Sequence, residues 1–351
     1  MKSLVVPSFN HQLSKLNLLT AIACLLVVLI AGASHAAAVD LDAAAACSAA
    51  ASAAAAPPPV TNLGPIPWFQ IYNNAQYGSA GVGLRNRRTG AIEMSGVIAP
   101  VQAAWIYWAV ISQGAAPAAA SQIQVQRLAP PAPASANVTL AGVAVGIGPQ
   151  PCEWNGNRIT VFRALIPAAI ATGNGTYKIT RLAGGGGLVG GENPWAAPQV
   201  LPLWEGASIV MVGTGTQTVA LYDFGLSGNT FNADGGLAYQ LILPFAIAAG
   251  TEVFFDEIGA DGQHGMGRIA NPAVSAETTM VQGMPIAGPG SDYNDSDWNG
   301  NAGPVIPELW DDAGHRLIVP NATAVLNVGI TNGAFGFGDC LTPVANVVAL
   351  P

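Results

Sequence analysis

The chain has 351 residues, half of them apolar and only 9% charged, so length permits a sizeable core. Its 20 acids outnumber its 12 Lys and Arg, which argues against nucleic acid or an anionic membrane as partner. With 42 Gly and 26 Pro, no stretch beyond residue 40 keeps an uninterrupted helical period, and a helical fold is excluded.

The N-terminus reads as an export signal. Lys2 and Lys15 precede an uncharged run, Leu18–Ala33, and "SHAAA" follows with the small residues a signal peptidase needs. The alternative is an uncleaved anchor, since the apolar run is only slightly short for a span. We assign residues 1–38 to the signal and expect a secreted or cell-surface protein with no stable span after cleavage. Cleavage removes Lys2 and Lys15 and no acid, so the 12 bases fall to 10 against 20 acids.

Residues 39–64 include "DAAAACSAAASAAAAPPPV", a low-complexity Ala/Pro-rich linker, flexible and then stiff. Three cysteines remain after cleavage: Cys47 in the linker, and Cys152 and Cys340 beyond it. An odd count in an oxidising compartment predicts one bridge and one spare. We pair Cys152 with Cys340; so long a loop would gain about 4–5 kcal/mol on the chain-entropy account.

Residues 65–351 are expected to form one domain. "AGVGLRNRRTGAIEMSGVI" reads as two strands about a turn at Arg88-Thr89-Gly90, and "AAWIYWAVI" (residues 103–111) as a strongly apolar strand. Then come "SQIQVQRL", "NVTLAGVAV", "NRITVFRAL", "GTYKITRL", "ASIVMVG", "QTVALYDFG", "LAYQLILPF", "TEVFFDEI", "ATAVLNVGI" and "ANVVAL", short β-branched runs bounded by Gly, Asn or Pro. "PAAIAT" reads as a single helical turn. The absence of helical periods between strands predicts an all-β, antiparallel β-sandwich of jelly-roll or Ig-like type rather than a parallel α/β sheet. A membrane barrel would need strands of about ten residues with aromatic girdles at both rims, and these are shorter and irregular.

The chain resembles an uncharacterised group of exported bacterial β-sandwich domains. The motifs that carry the likeness are "GVGLRN", "AAWIYWAV", "VTLAGVAV", "RALIPAAI", "ASIVMVG", "TVALYDFG", "DSDWNGNAG", "LWD" and "DCLTPVANVVAL", over roughly residues 80–350. "VTLAGVAV" followed by "FRALIPAAIATGNGTYKITRL" is also similar to the order in galactose-binding-like jelly rolls. The first resemblance implies a secreted or surface protein of unknown role. A carbohydrate-binding role would be analogy by fold, which a site must support.

"DSDWNG" is the most specific chemical signal. Asp295, Asp297 and Asn299 alternate before Gly300, as in the first half of a calcium loop, with Asp292 nearby and Asp311 within reach if the chain folds back. The bidentate acid expected twelve residues into the loop is missing, because position 306 is Ile. Eleven acids lie between Glu252 and Asp312 against Arg268 alone, and "DEIGADGQHG" brings Asp256, Asp261 and Gln263 as further donors. The readings are a calcium ion bracing loops, a solvated acidic turn, or Asp297 and Asp311 as buried acceptors for loop backbone. Trp298 and Trp310, in the same acidic stretch, are the candidate ligand contacts. Trp105 and Tyr107 share one strand face and Trp108 takes the other, a pattern of core residues or of a sugar-stacking platform.

Catalytic signatures are lacking: His264 and His315 lie in no HExxH, and there is no GxSxG elbow. The expected function is a non-catalytic surface or adhesion protein, with cell-envelope glycan or other surface proteins as partners. The alternatives are a carbohydrate-binding module and a secreted hydrolase.

Overall fold

The computed structural model describes residues 60–129, 137–150, 157–184, 200–224, 236–260, 277–288, 297–298, 300, 302, 310–331 and 342–351. Among these the chain is all-β, as the strand spacing predicts, with a single 3-10 turn at Ala118–Ser121. Every strand belongs to the unit Pro59–Pro351. No helix among the described residues is long and apolar enough to cross a membrane. Cys47, Cys152 and Cys340 lie outside the described residues, as does the stretch read as signal peptide.

Strands are numbered in chain order. A nine-stranded sheet runs β16 (Trp310–Ile318), β13 (Glu252–Ala260), β18 (Thr342–Leu350), β11 (Gln217–Asp223), β2 (Trp68–Gly83), β10 (Leu203–Thr214), β4 (Ala103–Ser112), β8 (Asn157–Leu165) and β7 (Val143–Gln150). A four-stranded sheet runs β3 (Thr89–Met94), β9 (Gly175–Arg181), β5 (Gln122–Ala129) and β6 (Asn137–Ala141). A five-stranded sheet runs β1 (Val60–Ile66), β12 (Gly236–Ile247), β17 (Thr323–Thr331), β14 (Thr278–Val281) and β15 (Met284–Ala287). All pairings are antiparallel except β1 with β12. The first strand begins at Val60, inside the stretch read as linker.

Side-chain alternation explains how one large sheet serves two smaller ones. In β4, Ile106, Trp108 and Val110 enter a cluster with Ile92, Ile123, Val125 and Ile179 of the four-stranded sheet. Tyr107, Ala109 and Ile111 enter a different cluster on the opposite face. In β18, Val348 and Leu350 pack with Leu237, Leu241, Leu326 and Ile330 of the five-stranded sheet, while Val347 and Ala349 join Tyr107 and Ile111. Strands buried on both faces read as continuous apolar runs, which is why "AAWIYWAV" shows no polar alternation. The shared third cluster joins β4 and β8 to β13 and β18, far apart in strand order, so the nine-stranded sheet curls upon itself. Each end of its convex face carries its own covering sheet.

Trp108 anchors the first cluster. Its ring stacks on Phe162 (centroids 5.5 Å) and Trp204 (6.2 Å), and its indole N–H donates to the Ala120 carbonyl at 3.0 Å. The stretch "NVTLAGVAV" is two strands, not one. β6 lies in the four-stranded sheet and β7 in the nine-stranded one, and the chain crosses at Gly142. A Cβ at that position would collide with the Trp108 ring. "PAAIAT" forms the expected single turn, with Ala171 N–H donating to the Pro167 carbonyl at 3.0 Å.

β16 and the first half of β2 are strands that sequence patterning misses. β16 carries Asp311, Asp312, Gly314, His315 and Arg316, and β2 contains "YNNAQYGSAG". Both polar strands meet where the sheet curls.

Candidate functional site

The site grows from the antiparallel pair β13 and β16, in which Asp256 lies opposite Gly314, Ile258 opposite Asp312 and Gly259 opposite Asp311. Adjacent acids on a strand point to opposite faces, so Asp256 and Glu257 serve two environments.

Glu257 faces the five-stranded sheet. It is buried and accepts from the Tyr239 hydroxyl at 2.9 Å and more distantly from Thr279 at 3.5 Å. Burial, and then the charge of Asp297, push its carboxyl up to about 8. On the same side Asp297 Oδ1 lies 2.6 Å from His315 Nε2, and Asp311 Oδ1 accepts the Gly300 N–H at 2.6 Å. Burial holds the Asp311 carboxyl well above the usual range, against the Gly300 hydrogen bond. The backbone continues the clasp: Ala302 N–H donates to the Trp310 carbonyl at 3.0 Å, and the Ala302 carbonyl accepts from Gly83 at 3.2 Å.

Asp297 and Asp311 are thus brought into one buried neighbourhood, each already engaged as an acceptor that pins the loop to the sheet. Among the described residues no group of three or more His, Cys, Asp or Glu is gathered closely enough to hold a metal ion. Asp292, Asp295 and Asn299, the other calcium candidates, lie outside the described residues.

Trp298 and Trp310 require correction as ligand contacts, because both rings are fully buried. Trp298 lies on Gly259, and Trp310 on Gly206, positions where a Cβ would enter the ring. The Trp310 indole N–H donates to Ser208 Oγ at 2.8 Å. Their loop-like acidic context hid that they are core residues bringing the chain down onto the sheet.

Asp256 faces the other way, into a cleft of about 500 Å³. One wall is Gln76, Tyr77, Gly78 and Ser79 of β2, with Gln217 of β11. The other is Phe254 and Asp256 of β13 with Gly314, His315 and Arg316 of β16. In strand order β13 and β16 are removed from β2, so the curl of the sheet creates the cleft. Gly314 leaves room over Asp256: a Cβ there would sit 3.6 Å from its carboxyl carbon. Asp256 is only 5% exposed, and its Oδ1 has no hydrogen-bond partner. Asp312, diagonal to it, accepts from the Ser79 hydroxyl at 3.0 Å. Burial pushes Asp312 up to about 6, against hydrogen bonds from Ser208 and Ser79. Asp256 is raised well above the usual range by burial and then by the charges of Asp312 and Asp297. The Tyr77 phenol is also pushed up, by burial and then by Asp256 and Asp312.

Asp256 was legible in the sequence only as a spare oxygen donor, and Asp312 only as one of the eleven clustered acids. The adjacent acids in "VFFDEI" were the available signal: a strand with two consecutive acids places one on each face. Tyr77 and Ser79 carried no signal.

The Trp105–Tyr107 pattern belongs to a different patch. The two share a face as expected, with Tyr107 fully buried and its hydroxyl donating to Asp223 at 3.1 Å. Trp105 is half-buried, edge-on to Phe69 (5.3 Å), and the Arg163 guanidinium, paired with Asp223, covers the Phe69 ring at 3.6 Å. In this patch the polar groups of Tyr107, Asp223 and Arg163 answer one another.

No family model and no curated protein matches the chain. Slight likenesses to solved structures exist. A peptide-N(4)-(N-acetyl-β-D-glucosaminyl) asparagine amidase aligns over 79% of this chain and 96% of its own, at 10% identity and TM-score 0.25. The ANX2 ectodomain from Arabidopsis thaliana aligns over 79% and 83%, at 6% and 0.24. The plant receptor-like kinase FER aligns over 80% and 89%, at 8% and 0.23. Likeness of this degree identifies no specific function.

Proposed function

We propose that the protein is an exported, non-catalytic glycan-binding β-sandwich that attaches to a glycan-bearing surface through the cleft between β2 and the β13–β16 pair. The observation that carries this reading is the cleft's composition. Gln76, Ser79, Gln217 and Asp256 offer the planar amides, hydroxyl and carboxylate that meet sugar hydroxyls, and Tyr77 and Phe254 offer apolar rings for the C–H faces. The walls stand on strands of one continuous sheet, so the polar groups are held before a ligand arrives. Export rests on the N-terminal apolar run and its small-residue flank.

The test is a glycan panel followed by calorimetry on the best binder. Binding that weakens at least tenfold in Gln76→Ala and Gln217→Ala, with no sugar released, supports the proposal. Failure of every glycan to bind overturns it. A second reading, hydrolysis assisted by the paired carboxylates Asp256 and Asp312, would be favoured by release of shorter sugars that Asp312→Asn abolishes.

A further inference from the structure

We propose that the cleft selects a glycan bearing a uronic acid, whose carboxylate is held by the guanidinium of Arg316 in the cleft wall. This rests on the glycan-binding reading and names the class of sugar.

Arg316 lies directly opposite Phe254 in the β13–β16 pair, and both line the cleft. Opposite residues on a sheet face are close neighbours, and the Arg316 guanidinium sits over the Phe254 ring, 4.8 Å from its centroid. An arginine laid on an aromatic ring has its plane oriented while its N–H donors stay free at the edge. The side chain is 64% exposed. Its ion-pair partner is Glu252, 3.5 Å from Nε and itself 47% exposed. So long and so exposed a pair is weak, because water and salt screen it. Among the described residues no hydrogen bond or ion pair takes the two Nη atoms, so the fork they form is open.

The charges in the cleft favour an anion at this fork. His315 is part of the wall, but its Nε2 lies 2.6 Å from Asp297 and is committed there. Asp256 is the acid among the described lining residues. Burial, and then the charges of Asp312 and Asp297, push it toward its protonated, uncharged form. The Tyr77 phenol is pushed up as well and stays neutral. A carboxylate entering the cleft therefore meets the Arg316 cation and no fully charged acid in the lining.

An isolated uronic acid in a largely neutral glycan suits this site better than a dense polyanion. The planar fork of arginine meets both oxygens of one carboxylate in parallel, and a sulfate ester, the far weaker base, accepts less strongly. The formal charge of −8 on the chain repels polymers that carry an acid on every unit. At physiological salt that repulsion fades beyond about 8 Å, so one acidic unit on Arg316 is tolerated. Gln76 and Gln217 remain for the hydroxyls of neighbouring neutral units. Methyl esterification keeps the shape of a uronic acid and removes its charge, so the site should discriminate on esterification.

The experiment is calorimetry on the full-length chain at neutral pH, at low and at high salt. The probes are a xylose tetramer with one glucuronic acid branch and the hyaluronan tetrasaccharide, each as free acid and as methyl ester. The unbranched xylose tetramer and a sulfated galactose tetramer complete the set. The expected result is at least tenfold tighter binding of one free acid than of its ester and of the last two probes, an advantage that shrinks as salt rises. Arg316→Gln should erase the preference for the free acid, and Arg316→Lys, which keeps the charge without the fork, should retain only part of it. Glu252→Gln removes the competing carboxylate and should tighten the free acid about threefold, a gain that a merely structural role for Arg316 would not produce. Thermal melting confirms the fold of each variant scored.

Equal binding of free acid and ester, with the Gln76 and Gln217 dependence intact, overturns the uronic acid assignment and leaves the glycan reading standing. The assignment also falls if the sulfated tetramer binds as tightly as the free acids, or if neither free acid binds while a neutral glycan does. Survival of the preference in Arg316→Gln overturns it too. Binding by none of these probes nor by any other glycan removes the glycan reading itself.

Discussion

Glu257 shows how a single residue ties stability to pH. Its carboxyl is buried among Tyr239, Thr279 and the charge of Asp297, and it titrates at about 8 instead of 4.5. The folded protein therefore keeps a proton that the unfolded chain releases. Its contribution is greatest below about pH 4.5 and is lost as pH rises toward 8. Asp256 and Asp311, also raised, act in the same direction. Thermal melts should show a melting temperature that declines from pH 5 to pH 8, with a shallower decline in Glu257→Gln. A melting temperature that rises over this window would contradict the assignment. "VFFDEI" was readable as a strand, and alternation alone separates Asp256 from Glu257. Which face lay inside a cleft was not readable, because that depends on the distant β2.

At the scale of elements, the turn between β2 and β3 is fastened by a buried ion pair. Arg85 Nη2 lies 2.5 Å from Glu205 Oε2 of β10 with both side chains fully buried, and Leu84 N–H donates to the Glu205 carbonyl at 2.9 Å. Removing one partner takes a counter-charge from the other in the interior. Arg85→Met should destabilise the fold by about 3–5 kcal/mol in denaturant titration, whereas Arg85→Met with Glu205→Leu should recover most of the loss. Equal loss in the double variant would show that the pair itself is stabilising. Such a pair is invisible in sequence, since "GLRNRRTG" reads as an ordinary turn. Strands such as β4, β8 and β18 were legible because burial on both faces makes them continuously apolar. β2 and β16 were not, because the side chains that line the cleft are Gln, Tyr, Ser, Gly and Arg, which also compose loops. The residues that make the site hide the strands that carry it.

For the whole molecule, the governing feature is one sheet of nine strands covered at each end of its convex face and curled so that β16 and β13 stand across from β2. Composition and strand spacing foretold an all-β sandwich. They did not foretell one sheet shared between two covering sheets, because the pairing of β2 with β10 and β11 joins segments more than a hundred residues apart. The curl converts two polar strands into the walls of a cleft, and Asp297 and Gly300 are fastened to His315 and Asp311 behind it. Amide hydrogen exchange on the full chain, with and without the best-binding oligosaccharide, tests this account most directly. The account predicts slowed exchange on binding in residues 76–79, 254–256 and 314–316 together. Protection confined to the Phe69–Trp105–Arg163 patch, or no change in any of the three cleft segments, would contradict it.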